Sequence, residues 1–162
     1  MFRNRTALAA SILGTAIVAS PAVVSSSSMA AAIDAPAHAA VAPTTIQLKR
    51  TALGEVLVDG TGFTLYAFSR DGKRKDRCVM VSGCAHVWPL TRTHGSPHAG
   101  HGVKRSLLGT IRIRGGAVQV TYAGHPLYRY SGDVSPGSID YVGASQFGGV
   151  WRAVKPSGAP VG

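Results

Sequence analysis

Three histidines at short intervals in one loop have the side chains and the spacing to bind a metal ion. They are His94, His98 and His101, in a stretch that is also rich in glycine. Neutral imidazole ligates Cu(II) and Zn(II), a flexible loop can fold around such an ion, and His86 could supply a fourth ligand. The alternative is a solvated polar loop. Because no H-E-x-x-H motif or nearby carboxylate accompanies the histidines, catalytic zinc is not expected.

A second set of candidate residues is a motif of tyrosine, another aromatic residue and aspartate that occurs twice. Its residues are Tyr66, Phe68 and Asp71 in the first copy and Tyr128, Tyr130 and Asp133 in the second. The aromatic faces could bind a flat ligand, and the two aspartates could meet to hold a cation or act as an acid and a base. Ordinary structure accounts for the same residues: tyrosines packed in a sheet with their hydroxyl groups bonded to backbone, and aspartates that shape turns. We favour this structural interpretation.

The two cysteines, Cys78 and Cys84, are separated by five residues that include Ser82 and Gly83. That spacing leaves enough slack for disulfide geometry, and it differs from the Cys-x-x-Cys spacing of redox pairs. A thiolate metal site is the other alternative. In an exported protein we expect a structural disulfide, which for so short a loop stabilises the domain by about 2 kcal/mol.

The stretches that carry the aromatic motif, residues 56–71 and 118–133, are two copies of one sequence offset by 62 residues. The identical pairs are Val56/Val118, Val58/Val120, Gly62/Gly124, Leu65/Leu127, Tyr66/Tyr128, Ser69/Ser131 and Asp71/Asp133. Each copy continues through a variable loop to a Val-Trp pair that ends at Trp88 or Trp151. Two repeats are too few for a solenoid, so we expect each to cover the apolar face of the other.

The predicted fold is all-β, a single small domain made of two tandem β-hairpin-containing repeats with pseudo-two-fold symmetry. The 20 glycines and the charged fraction of only 15% suit a turn-rich β protein. In the first repeat, Asp59-Gly60-Thr61-Gly62 has the composition of a hairpin turn. Because strand side chains alternate, Leu65 and Leu127 should face away from Tyr66 and Tyr128.

The N-terminal region predicts export. Arg3 and Arg5 precede an uncharged apolar run over residues 6–18, with small-residue cleavage sites near 32 and 39. An uncleaved anchor is the alternative. No cysteine precedes Cys78, which rules out a lipid anchor on an N-terminal cysteine. We predict a signal region over 1–39, a flexible leader over 40–53, a domain over 54–158 (repeats at about 55–92 and 117–156, histidine-rich loop 93–103) and a tail over 159–162.

Together these motifs resemble a family of secreted and lipoprotein-type bacterial proteins described by a repeated Tyr-x-(Phe/Trp/Tyr)-x-x-Asp motif. The Cys84-Ala-His-Val-Trp88-Pro segment, the Gly-His-Pro-Leu-Tyr run that ends at Tyr128 and the Phe-Gly-Gly-Val-Trp run that ends at Trp151 are similar too. The resemblance covers about residues 55–158. It implies export and a shared fold, and it implies no established biochemical activity.

The net charge of +10 limits the partners that we expect. Outside the cell it indicates anionic envelope polymers, lipid headgroups or no specific partner, rather than nucleic acid. The basic run over residues 70–77 is either a solvated loop or a docking site for anionic envelope polymers. No enzyme motif is present, and no stable membrane span is expected after cleavage. We therefore predict an exported, non-catalytic binding or structural module of the envelope or medium. The alternatives are an envelope protein that binds a metal or redox cofactor through the histidine loop and, third, an enzyme.

Overall fold

The computed structural model describes residues 43–162, so the predicted signal region, both cleavage sites and the start of the predicted leader lie outside the described residues. Ten strands follow in chain order: β1 Thr45–Thr51, β2 Gly54–Asp59, β3 Tyr66–Phe68, β4 His98–Ala99, β5 Leu108–Arg112, β6 Val118–Tyr122, β7 His125–Pro126, β8 Ser145–Gln146, β9 Gly149–Val154 and β10 Pro160–Val161. Helix α1 is Cys84–Val87, and two 3-10 turns are Cys78–Met80 and Arg105–Leu107. The domain is mostly β, as predicted.

Each repeat opens with an antiparallel hairpin, β1–β2 in the first and β5–β6 in the second. Ile46 pairs with Asp59 in one, and Leu108 pairs with Tyr122 in the other. The first turn uses Gly54 at φ +85°, a conformation that glycine adopts without steric cost. When 62 is added to the residue numbers of the first hairpin, its strands coincide with those of the second hairpin to within two residues.

The predicted flexible leader over residues 40–53 is wrong from Thr45 onward. Strand β1 pairs with β2 along six residues and with β4 on its other side, and Ile46 is fully buried. Ile46 and Leu48 alternate with polar residues, which gives β1 one apolar face against the core. The predicted tail over 159–162 is likewise ordered, because β10 pairs with β9.

The two repeats interlock through their motif segments. Strand β3 of the first repeat pairs with β9 of the second, where Phe68 lies opposite Trp151. In the second repeat, the Arg129 and Ser131 N–H groups donate to the carbonyl groups of Pro89 and Val87 at 2.8 and 3.0 Å. Each motif segment therefore pairs with the Val-Trp segment of the other repeat.

Side-chain alternation around the motif creates two separate cores. Leu65 and Leu127 belong to one apolar cluster, and Tyr66 and Tyr128 belong to the other. This confirms the predicted opposite orientation of the leucines and tyrosines. Superposition of the two halves as a pseudo-two-fold pair stays a prediction. No helix among residues 43–162 is long and apolar enough to cross a membrane.

Candidate functional site

The two tryptophans of the Val-Trp segments form the centre of the second core. Trp88 and Trp151 are fully buried and stack in parallel with their ring centroids 4.0 Å apart. Phe68 stacks on the other face of Trp151 at 4.2 Å, and Tyr130 lies on the other face of Trp88 at 4.5 Å. The second aromatic residue of each motif therefore packs one face of its ring against a tryptophan.

The motif tyrosines are bonded to the aspartates of the opposite repeat. The Tyr128 hydroxyl donates to Asp71 at 2.8 Å, and the Tyr66 hydroxyl donates to Asp133 at 3.2 Å. Their backbones are also reciprocal, since each of the two tyrosine N–H groups donates to the other tyrosine's carbonyl at 2.9 Å. The prediction that the tyrosine hydroxyl groups bond to backbone groups is therefore wrong. Spacing within one copy of the motif does not identify these partners, because each of them lies in the other copy.

Burial changes the acidity of these four groups. Desolvation raises the pKa of Asp71 from 3.8 to about 7, against the lowering effect of hydrogen bonds from the Arg77 N–H and the Tyr128 hydroxyl. Desolvation also raises the pKa of Asp133 to about 6. The pKa values of Tyr66 and Tyr128 are raised far above 10 by burial and by the adjacent carboxylates. Both tyrosines are therefore protonated donors at any physiological pH.

The aspartates are not hydrogen-bonded to each other, as the alternative of an acid pair or a shared cation site would require. Asp71 and Asp133 each bond to a tyrosine of the opposite repeat rather than to one another. The Asp71 carboxylate also accepts a hydrogen bond from the Arg77 N–H at 2.7 Å, which ties together the two ends of the segment from Asp71 to Arg77. The sequence predicts that both aspartates shape local turns. For Asp71 this is part of its role, because its carboxylate bonds both to the Arg77 N–H and to the Tyr128 hydroxyl.

Cys78 and Cys84 form the predicted disulfide, with their Cα atoms 5.4 Å apart. Both cysteines are fully buried in the aromatic core, and Cys84 begins helix α1, which leads directly into Trp88. The bridge therefore holds the segment that delivers one of the two stacked tryptophans. Such a bond is consistent with a location outside the cytoplasm.

Removing this disulfide is expected to lower stability. In the Cys78→Ala/Cys84→Ala double variant, the free energy of unfolding should fall by about 2 kcal/mol because the unfolded chain gains the freedom of the opened loop. Urea denaturation followed by tryptophan fluorescence measures the change, with the oxidised parent as reference. Equal midpoints for the variant and the parent would contradict a structural role for the bridge.

The four histidines of the predicted metal site are not assembled into one. No group of three or more His, Cys, Asp or Glu side chains within residues 43–162 is placed to hold a metal ion. His86, His94, His98 and His101 are all exposed. His98 lies in β4, where its N–H donates to the Thr44 carbonyl at 2.9 Å, and the Gly100 N–H donates to Ile46. The loop is tied to β1 at these two points.

Charge is distributed unequally between the interior and the surface. Twelve of the fifteen lysines and arginines within residues 43–162 are exposed. Of the six carboxylates there, only Glu55 and Asp140 are exposed. Asp59 and Asp76 are buried. Asp71 and Asp133 are half-buried and accept hydrogen bonds from the tyrosine hydroxyl groups. The exposed charged residues of this part of the chain are therefore predominantly basic.

A model of a protein family described as a secreted repeat of unknown function matches this chain twice, over residues 47–91 and 109–155. The two matches cover more than half of the chain, and their first residues have the same 62-residue offset as the motif copies. They begin eight residues earlier than the predicted repeats because the first hairpin strand belongs to each unit. Searches of the curated proteins and of the solved structures found no match.

Proposed function

This chain belongs to the family of secreted repeats of unknown function, and from that premise we propose that it is a non-catalytic module that binds anionic polymers outside the cell. The observation that carries the proposal is the unequal exposure of charge: most of the cations are exposed, whereas four of the six carboxylates are buried or half-buried. A surface of one sign attracts polyanions over distances comparable to the Debye length, about 10 Å at 0.1 M salt.

The basic loop, residues 70–77, is the proposed centre of this surface. Its Arg70, Lys73, Arg74, Lys75 and Arg77 are all exposed. The backbone is held in a tight turn in which the Gly72 and Lys75 N–H groups donate to each other's carbonyl groups at 3.1 and 3.0 Å. A loop with a fixed shape loses less conformational entropy on binding than a mobile one does.

Two of the five cations also anchor the basic loop to the domain. The Arg70 guanidinium donates to the Phe147 carbonyl at 2.9 Å, and the Arg74 guanidinium donates to the Thr110 carbonyl at 3.0 Å. The side chains of Lys73, Lys75 and Arg77 remain for a partner. These three can be replaced without removing the anchoring contacts.

The protonation of the motif tyrosines supports the non-catalytic part of the proposal. A tyrosine whose pKa lies far above its usual 10 is a poor general base or nucleophile near neutral pH. Ser69, the hydroxyl residue beside the first motif, accepts a hydrogen bond from the Val150 N–H at 2.8 Å and so has a structural partner.

The test uses the secreted protein and immobilised poly(glycerol phosphate), with neutral dextran as the reference polymer. We expect binding to the phosphate polymer alone, with affinity that falls as salt rises from 50 to 500 mM. Replacing Lys73, Lys75 and Arg77 with glutamine should weaken binding by between about tenfold and a hundredfold, since a cation near an anionic surface contributes about 1 kcal/mol.

A charge-matched control separates the basic loop from net charge in general. Replacing Lys104, Arg112 and Arg114 with glutamine removes the same charge from exposed positions elsewhere. This variant should bind within about threefold of the parent, since scattered exposed charges act mainly through the screened long-range field. Equal losses in both triple variants, or equal binding to dextran, would reject the basic loop as the docking surface.

A further inference from the structure

Two concave sites lie at equivalent places in the two repeats. The first, of about 380 Å³, is lined by Ala67, Phe68, Ser69, Asp71, His125 and Arg152, among others. The second, of about 170 Å³, is lined by Pro89, Arg129, Tyr130, Ser131 and Asp133. The 62-residue offset places Arg129 where the first site has Ala67, and Asp133 where it has Asp71. We call them the open cleft and the closed cleft.

The arginine that lines the closed cleft is paired within the chain. The Arg129 guanidinium lies 4.1 Å from the centre of the Phe63 ring and forms an ion pair with Asp59 at 3.2 Å. Its positive charge also lowers the pKa of Asp133, although burial has the larger, opposite effect. Arg129 and Asp133, the two charged residues of this cleft, thus both have partners within the chain.

The arginine of the open cleft is not paired in this way. Ala67 stands in the place of Arg129, and the side chain of Arg152 comes from the opposite strand, at the position paired with Ala67. Arg129 and Asp59 form the one ion pair among residues 43–162, so the half-buried Arg152 guanidinium has no carboxylate partner in that part of the chain.

The other polar groups of the open cleft complement Arg152. His125 is half-buried, and both desolvation and nearby Lys73 lower its pKa, which keeps the imidazole neutral near pH 7. The Ser69 oxygen accepts from the Val150 N–H, so its O–H is available to donate. Asp71 supplies a carboxyl group, and Phe68 and Pro160 supply apolar surface. A ligand here meets one cation, one carboxyl group and an apolar wall.

We propose that the open cleft binds a small carboxylate that also carries a hydrogen-bond donor, either a hydroxyl group as in an acidic sugar or an amino group as in an amino acid. Arg152 would bind the ligand carboxylate in the forked geometry that guanidinium groups favour. Asp71 would accept from the donor, and the carbon skeleton would pack beside Phe68 and Pro160. The volume lies at the small end of the range for ligand sites.

This inference goes beyond the proposed polymer binding and does not depend on it. The groups that bind the ligand are those of the open cleft, whereas the polymer test replaces side chains of the basic loop. Loss of one activity can therefore be measured while the other is retained.

Calorimetry of the secreted protein at pH 7 tests the open cleft with four probes. Glucuronate and L-alanine carry both required groups, propionate lacks the donor, and glucose lacks the carboxylate. We expect glucuronate or L-alanine to bind with a dissociation constant of about 1 mM or tighter, as suits so small a ligand. Propionate and glucose should bind at least about tenfold more weakly.

Three variants assign the binding to the open cleft. Arg152→Met should weaken binding at least tenfold, whereas Arg129→Met, in the closed cleft, should leave it unchanged. Ala67→Arg should add a large cationic side chain that competes with the ligand for the space and the Asp71 carboxyl group of the open cleft, and so weaken binding at least tenfold. If that variant does not fold, Arg152→Met decides the question. Absence of heat with both glucuronate and L-alanine, equal binding of propionate, or unchanged binding by Arg152→Met would overturn the proposal.

Discussion

Replacing Trp151 with alanine is expected to lower the free energy of unfolding by about 4 kcal/mol, a large part of the stability of a domain of this size. Trp151 is fully buried, stacks between Phe68 and Trp88, and meets the edge of Tyr128 at 5.1 Å. The alanine variant removes all three ring contacts and leaves a cavity between the repeats. Urea denaturation followed by far-UV circular dichroism measures the loss.

The two tryptophans also provide matched conservative variants. The Trp88 Nε1–H donates to Gln146 Oε1 at 2.8 Å, whereas the buried Trp151 Nε1–H has no acceptor among the described residues. Trp88→Phe breaks a hydrogen bond, and Trp151→Phe removes a donor that has no partner. We therefore expect Trp88→Phe to be more destabilising by about 1 kcal/mol. The reverse order would show that ring packing, rather than the indole N–H, distinguishes the two positions.

The second large effect is a loss of stability as pH rises. In the folded protein Asp71 has a pKa of about 7 and Asp133 a pKa of about 6, both above the usual 3.8. The folded state therefore binds more protons than the unfolded state between pH 4 and pH 7, so the free energy of unfolding decreases across that window. After allowance for partial exposure of both carboxyl groups, we expect a fall of roughly 3 kcal/mol from pH 4 to pH 8.

Asp71→Asn isolates the contribution of the first carboxyl group. Asparagine resembles protonated aspartate: it can accept from the Arg77 N–H and donate to the Tyr128 oxygen. The variant should match the parent near pH 4 and exceed it by about 2 kcal/mol at pH 8. His125, whose lowered pKa works in the opposite direction, is present in both proteins and cancels from the difference. Parallel stability curves for the two proteins would contradict this origin of the pH dependence.

Local chemistry made several features predictable from the sequence. The Asp59 carboxylate accepts from the Thr61 and Phe63 N–H groups at 2.8 and 3.1 Å and shapes the predicted hairpin turn. The alternation that separates Leu65 from Tyr66, and the short spacing of the cysteines, are likewise properties of a few consecutive residues. These predictions needed no knowledge of how the repeats pack.

The remaining features depend on contacts between distant segments. Strand β1 carries only two apolar side chains on its inner face, and its order comes from pairing with β2 and β4. The histidine loop has the composition of a flexible segment, yet β1 holds it through the backbone of His98 and Gly100. The tyrosine partners lie in the opposite repeat. Sequence spacing alone does not specify contacts of this kind.

The interlocking of the repeats also fixes when the domain can form. Strand β3 is complete at Phe68, but its partner β9 begins only at Gly149. A secreted chain that emerges from its N-terminal end therefore exposes the first repeat long before Trp151 arrives to complete the aromatic core. Pairing between segments so far apart in sequence is slow to form. We therefore expect that the first repeat does not complete its fold by itself, and that the domain folds only after nearly all of it has been exported.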